Sequence, residues 1–435
     1  MYFIGIGGIS MSALARFVLE SGYAVSGSDA VRSEQTQALV DCGINVDIGE
    51  QITGGLIAAD TVVYTDAVPF THTQLQYAVQ TQKCILSRPD LLRLVANEFK
   101  EVIAIAGSHG KTTCTSICAH IFAELGLPFC AHIGGMDADF GNYYQTGREY
   151  LITEACEYRR NILKIKPTSA VLLNVDKDHM ECYSGEQDLL TCFQSYCLSA
   201  NTAFVCADDE GCRRLGDFPS FGIVNSLADY RATDLRVLGE RYSFTVEEYG
   251  KPIVRVKLQA VGRCNVYNAL AAFAVTRAYG FDENVIAKGI QTFRAVKRRF
   301  EKIGEFNGAT CICDYAHHPR EITATVATAK AIAKGEVYVV FQPHTYSRTK
   351  LLLREFINAL GQIKNLVIYK TYAARESYDE EGSGKRLSQE VQNSLYADNV
   401  YALKTWLKTT VKEGDVVLFL GAGDIYYAAQ YIVKR

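Results

Sequence analysis

Lys111 is the residue whose surroundings most directly suggest chemistry. It lies in the run GSHGKTT at 107–113, after an apolar stretch at 102–106 and before a helical pattern. A glycine turn between strand and helix lets backbone N–H groups point at phosphate oxygens, and a lysine there adds positive charge. Gly107, Ser108, His109, Gly110, Lys111, Thr112 and Thr113 are therefore the candidate triphosphate-binding residues, with the Thr112 hydroxyl available to Mg²⁺. The spacing departs from G-x-x-x-x-G-K-[ST], because Ala106 and Ile105 stand four and five residues before Gly110. A chance glycine-rich turn is the competing reading.

Phosphoryl transfer also requires a metal shell, so carboxylates and other ligands are sought downstream. Glu154 ends an apolar run at 150–153 within TEACEY, and Asp178 and His179 follow the apolar run 170–175 within NVDKDHMECY. Both positions are expected at strand tips beside the glycine loop, which makes Glu154 and His179 candidate metal ligands, with Glu157 as a neighbouring alternative to Glu154. Taken singly, a Glu or a His is more often a surface or satisfied core residue.

A second glycine turn, GIGGIS at 5–10, has the look of a dinucleotide fingerprint, with Asp29 about 20 residues beyond it where a ribose-binding acid is expected. Ser10 occupies the place of the third glycine, which loosens a nicotinamide reading while still permitting a pyrophosphate at a helix N-terminus. Gly5, Gly7, Gly8, Ser10, Met11 and Asp29 are thus candidates for a nucleotide-linked substrate. A nicotinamide-dependent oxidoreductase would use this turn but leaves GSHGKTT unexplained. A switch that hydrolyses ATP only to change shape is the other rival.

Such turns need parallel α/β units to position them. Three times an apolar run enters a glycine-rich or small-residue turn and then a helical pattern: 2–6 into Gly7 and Gly8, 102–106 into the lysine loop, and 310–313 into DYAHHP at 314–319. Two further strands, 337–341 and 416–420, open on QPHTYSR and GAGD. All these turns would lie at the carboxyl ends of strands, where open parallel sheets bind ligands. The expected fold is α/β in three domains: a Rossmann-like domain at 1–97, a central P-loop ATPase-type domain with a mainly parallel sheet at 98–292, and a Rossmann-like domain at 293–435. Within the second, 201–260 reads as an antiparallel insertion with strands at 242–246 and 253–258.

Composition agrees with an ordinary globular chain: 435 residues, 48% hydrophobic and 21% charged. A formal net charge of −3 argues against nucleic acid as partner and favours small molecules. The 14 cysteines are scattered without common zinc spacing, which predicts reduced, mostly buried thiols in the cytoplasm. No cleavable leader and no run of 18 apolar residues is present, so no membrane insertion is expected.

Taken in order, GIGGISMSALA, GSHGKTT, EACEYRR, NVDKDHMECY, GRCNVYNALAA, KRRFE, DYAHHP, FQPHTYSR and GAGDI resemble the Mur ligase family of peptidoglycan-precursor enzymes over nearly the whole chain. The resemblance implies an ATP-dependent ligase acting on UDP-N-acetylmuramate and L-alanine, or alternatively on a preformed tripeptide in place of the alanine. It implies Mg²⁺ at two sites, with Mn²⁺ able to substitute, and a monomer or homodimer. Carried over by motif, Lys111 holds ATP phosphates, Thr112 and Glu154 one magnesium, and His179 a second. Asn265 and Asn268 serve the adenine and middle-domain end of the ATP site, and Arg299 and Asp314 reach the nucleotide from the third domain. Tyr315, His317, His344 and Arg348 line the amino-acid end, with His317 or His344 as proton acceptor. The chain departs from the family pattern at Thr345, where some relatives carry a basic residue, and at Cys156 and Tyr158, where many carry Asp and Ser. Without the resemblance, Lys297 to Arg299 reads as a solvated basic run, His317 and His318 as a helix start, and Asn265 and Asn268 as polar positions on one helix face.

Overall fold

The computed structural model describes residues 1–238 and 240–434. Among these residues the strands form a five-stranded, a ten-stranded and a six-stranded sheet.

The first sheet holds, in spatial order, Asn45–Ile48, Ser26–Asp29, Tyr2–Ile4, Thr61–Tyr64 and Cys84–Ser87, all parallel. The winding direction changes between Tyr2–Ile4 and Thr61–Tyr64, and such a switch point opens a crevice at the carboxyl ends of the strands. Gly5 leaves the first strand there at φ +78°, and a Cβ on it would meet Thr65 Cγ2 at 2.8 Å.

The second sheet is centred on Glu101–Ala106, which runs parallel to Ser169–Leu172 on one side and to Tyr150–Glu154 on the other. Ile103, Ala104, Ile105 and Ala106 are all fully buried, so both faces of this strand are covered, which explains its unbroken apolar run. The expected antiparallel insertion at 201–260 is corrected: Thr202–Cys206, Ser220–Gly222 and Tyr230–Leu238 continue the sheet in parallel. Within this block, among the described residues, the antiparallel part is the closing hairpin Arg241–Glu248 and Lys251–Val261, which contains the two strands expected at 242–246 and 253–258. Its link is Tyr249 at φ +49° and Gly250 at φ +76°, and a two-residue connection with two positive φ angles forces neighbouring strands antiparallel. The run expected as a strand at 170–175 ends as one at Leu172, and the chain beyond it turns to meet the lysine loop.

The third sheet orders Glu301–Phe306, Ala309–Asp314, Val416–Leu420, Val337–Phe341, Asn365–Tyr369 and Ser394–Ala397, parallel except for the first pair. Residues of alternating parity feed two cores: Val339, Phe341, Leu418 and Leu420 on one face, Tyr338, Val340, Val417 and Phe419 on the other. Helices cover both faces, so the strands carry no polar side.

The residues divide into two compact units. One comprises Met1–Leu235, Ser243–Leu258 and Val266–Arg294, and so contains both the first sheet and most of the second. The other comprises Arg236–Tyr242, Gln259–Asn265 and Ala295–Arg435. Asn97 caps the helix Arg88–Ala96 between two sheets of the same unit, whereas the break at Arg294 lies two residues past the helix Glu283–Thr292.

All 14 cysteines lie among the described residues and are free. Burial pushes Cys197, Cys206 and Cys311 up to about 12, so they remain thiols and pack as small apolar groups. Among the described residues, no helix is long and apolar enough to cross a membrane.

Candidate active site

In the first unit, Gly8 precedes the helix Ile9–Glu20 without a side-chain cap. Ser12 N makes the first intrahelical bond, to Gly8 O at 2.8 Å, so the N–H groups of Ile9, Ser10 and Met11 have no intrahelical acceptor. The helix N-terminus at the switch point is thereby suited to an anion. Gly7 N donates to Asp29 Oδ2 at 2.8 Å, and a Cβ on Gly7 would lie 2.7 Å from Thr36 Cγ2. Asp29 thus braces the turn, a task its spacing alone did not reveal. The Met11 side chain is only 1% exposed and packs in the core, so what it presents at the turn is its backbone N–H.

The lysine loop joins Glu101–Ala106 to the helix Lys111–Leu125. Two glycines shape it. Gly107 has φ +133°, and a Cβ on it would lie 3.1 Å from Asn174 N; Gly110 has φ +87°, with Asn268 Oδ1 at 2.5 Å from the same position. Asn268 therefore stands against Gly110 at the start of the loop helix. The loop is tied down from the neighbouring strand exit. Asn174 accepts from His109 N at 2.8 Å and donates to His109 O at 3.0 Å, while Ser108 Oγ accepts from Asp176 N at 2.8 Å. His109 Nε2 lies 3.1 Å from Asp176 Oδ2.

Lys111 Nζ donates to Gly107 O, to Ser108 O at 3.2 Å, and to both Glu157 oxygens at 3.1 and 3.0 Å. Burial alone would lower its pKa, but the Glu157 carboxylate beside it outweighs that and holds the ammonium above its ordinary value. Lys111 is therefore charged at any physiological pH. Glu157 is 2% exposed, and its carboxylate groups with those of Asp178 and the His179 imidazole, their ligand atoms all within 4.8 Å of one another. His179 takes φ +54°, its N–H donates to Asp178 Oδ1 at 2.9 Å, and its ring meets that of Tyr158 at 5.0 Å. Thr112 and Thr113 are buried in the first turn of the helix. Glu154 ends its strand as expected, but its Oε1 accepts from Gly134 N at 2.6 Å, and it acts on Lys111 as a weaker charge than Glu157.

In the second unit, Asp314 ends the strand Ala309–Asp314 and accepts from Phe300 N at 2.7 Å and Ala316 N at 2.8 Å. Desolvation pushes its carboxyl up to about 6, with the Arg299 charge pulling the other way. Both Arg298 and Arg299 stack on the Tyr315 ring at 5.0 Å, so this basic run is partly committed to an aromatic face. His317 and His318 do start the helix Pro319–Ile332, and Glu321 accepts from their N–H groups at 3.0 and 3.2 Å. The same region gathers the expected amino-acid residues. The His317 ring lies 6.0 Å from that of His344, and Arg348 Nη1 donates to His344 O at 2.8 Å. Burial, reinforced by Arg348, lowers His344 to about 4, which makes it a weak proton acceptor. His317 Nδ1 faces Tyr315 O at 3.0 Å, leaving Nε2 as the basic nitrogen of the neutral ring. Asn265 donates to Val261 O at 2.7 Å. Thr345 Oγ1 donates to Glu376 Oε1 at 2.6 Å.

Three family models match along the chain: "Mur ligase family, catalytic domain" at residues 1–100, "Mur ligase middle domain" at 105–276 and "Mur ligase, glutamate ligase domain" at 298–423. The UDP-N-acetylmuramate–L-alanine ligase of Caldanaerobacter subterraneus subsp. tengcongensis is 38% identical over 100% of this chain and 97% of that protein. The chain belongs to the Mur ligase family.

A second Mur ligase, the UDP-N-acetylmuramate–L-alanine ligase of Lachnospira eligens, is 36% identical over 100% of this chain and 98% of its own. Among solved structures, the UDP-N-acetylmuramate-alanine ligase of Thermotoga maritima matches with a TM-score of 0.85 at 28% identity, covering 100% and 98% of the two chains. The murein peptide ligase of Psychrobacter arcticus shares the fold, with a TM-score of 0.78 at 22% identity and the same coverage. The three matched segments of this Mur ligase carry the three sheets in turn. One residue of the loop's framework had escaped the sequence reading: Asn174, which opens NVDKDHMECY at the strand exit and was legible as a loop partner.

Proposed function

We propose that this ligase joins L-alanine to the carboxylate of UDP-N-acetylmuramate, converting ATP to ADP and phosphate. The observation that carries this reading is the ammonium of Lys111 held in a glycine loop beside Glu157, Asp178 and His179, in a chain alike end to end to ligases of that name.

A carboxylate is a poor electrophile and oxide a poor leaving group. One carboxylate oxygen therefore attacks the γ-phosphorus of ATP, the bond to the β-bridging oxygen breaks, and an acyl phosphate and ADP result. The alanine amine, having lost a proton, attacks the acyl carbon; the tetrahedral intermediate collapses, phosphate departs and the amide remains. Lys111 and the loop N–H groups offset charge on the transferring phosphoryl, which is electrostatic preorganisation rather than covalent chemistry. His317 Nε2 is the better proton acceptor of the two imidazoles, since His344 is held at about 4. Exclusion of water protects the acyl phosphate from hydrolysis.

Magnesium is implied by the family, and the donor set fits a divalent cation: carboxylates of Glu157 and Asp178, the His179 imidazole, and Thr112 in the loop helix. The imidazole also admits Mn²⁺. When bound, a divalent cation held by these residues would supply positive charge against which the phosphoryl negative charge is offset. Glu154 is the further oxygen ligand we assign to the same region. The acid-binding end is assigned to the turn Gly5, Gly7, Gly8 and Ser10, the amine end to Tyr315, His317, His344 and Arg348.

ADP release is measured with and without each substrate. It is expected only when UDP-N-acetylmuramate and L-alanine are both present, and brisk release with neither would rule the reading out. Competing L-alanine against the preformed tripeptide at equal concentration is expected to give the alanyl product in excess.

A further inference from the structure

Within the first unit, the strands Phe129–Asp137 and Gly141–Gln145 pack on the helix Ile9–Glu20. Asn142 Nδ2 donates to Ile9 O at 2.7 Å and Ser12 Oγ at 2.8 Å, and Tyr143 donates to Glu20 at 2.6 Å. At the amino end of that helix sits His132, only 5% exposed. Its Nε2 is 2.9 Å from Ser10 Oγ and its Nδ1 is 2.9 Å from Thr153 Oγ1. Thr153 is fully buried and donates to Glu154 O at 3.3 Å, while Arg88 Nη1 donates to Ser10 Oγ at 3.3 Å.

Proton counting orders this chain. A hydroxyl has one proton to give. Thr153 gives its proton to Glu154 O, so it accepts from His132 Nδ1–H; His132 Nε2 then holds the lone pair and accepts from Ser10. Ser10 in turn accepts from Arg88. Every donor has one acceptor, and burial together with the Arg88 charge keeps the ring neutral, at about 4. The result is a continuous hydrogen-bonded link from the anion-binding turn of the first sheet to the strand tip of the second.

We propose that His132 is a positioning residue of the ligase reaction, fixing Ser10 and the helix N-terminus behind it to Thr153 and Glu154, so that the acid-binding turn keeps its register with the phosphate-binding sheet. This rests on the function proposed above. His132 touches no substrate; it acts through Ser10. A rigid link of this kind converts binding of the acid into alignment with the phosphoryl group, where small displacements are costly.

The experiment is steady-state kinetics of the full chain with ATP, UDP-N-acetylmuramate and L-alanine. His132→Phe keeps the bulk and removes both hydrogen bonds. It is expected to raise KM for the UDP-sugar about tenfold, in line with one lost buried hydrogen bond, and to leave KM for ATP within about twofold. His132→Gln, whose amide can reach Ser10, recovers most of the loss. Ser10→Ala gives a similar rise and adds nothing in the His132→Phe background, since the two act as one element. A lowered Tm with unmoved KM, or multiplying effects of the two substitutions, would overturn the role. Should His132→Phe not fold, Thr153→Val cuts the same link from its other end: the same KM rise supports the proposal and an unchanged KM overturns it. A wild type without release of ADP that depends on acid and alanine overturns the parent function and this role together, whereas an active wild type with unmoved KM overturns this role alone.

Discussion

Lys111→Met lowers kcat by at least about 10³-fold, because no other cation is held inside the glycine loop to take up charge on the transferring phosphoryl among the described residues. The same substitution carries a stability penalty that must be separated from the chemical one. The Glu157 side chain is 3% exposed, and a buried carboxylate stripped of its partner costs about 3–5 kcal/mol. The double variant Lys111→Met/Glu157→Gln removes that stranded charge. It is expected to regain most of the lost Tm while remaining less active than Glu157→Gln alone, so thermal melts and ADP release of the single and double variants measured side by side divide the two effects. Activity in the double variant above about one-tenth of wild type would show that Lys111 serves the fold rather than the phosphate.

Gly110→Ala reduces kcat/KM for ATP by about 10²-fold, the scale expected when reacting groups are displaced by an ångström or so. The residue combines φ +87°, which an L side chain adopts at a cost of about 1 kcal/mol, with an Asn268 oxygen 2.5 Å from where the new Cβ would stand. Either the loop or Asn268 must move, and both belong to the proposed nucleotide site. Gly126→Ala is the matched control. Gly126 ends the same helix at φ +66° with nothing within 4 Å of the added carbon, so it carries the backbone strain without the collision. Loss of Tm in both variants with loss of ATP use in Gly110→Ala alone is the expected pattern; equal loss of ATP use in both would refute the steric account.

Much of this site was legible because its chemistry is local. A strand, two glycines and a lysine within eleven residues fix the lysine loop whatever the rest of the chain does, and GIGGIS with its short first strand fixes the switch point in the same way. The choice between Glu154 and Glu157 was not legible. Alternation assigns faces only while a strand lasts, and the strand ends at Glu154, so the geometry that turns Glu157 onto Lys111 lies beyond the reach of periodicity. His132 was hidden for a different reason. Its partners lie 122 and 21 residues away, and a buried histidine on an apolar strand shows no pattern of its own. The block 201–260 misled because the alternation that marks its closing antiparallel hairpin was extended back over Thr202–Cys206, Ser220–Gly222 and Tyr230–Leu238, whose parallel pairing side-chain alternation alone does not reveal.

His179 holds a left-handed backbone, φ +54°, that any residue but glycine enters at some expense. That conformation turns the chain so that the imidazole joins Glu157 and Asp178. If His179 holds the cation as proposed, selection for ruggedness alone runs downhill toward glycine at that position and away from turnover, so a screen that scores survival on heating without scoring product is expected to enrich inactive variants there.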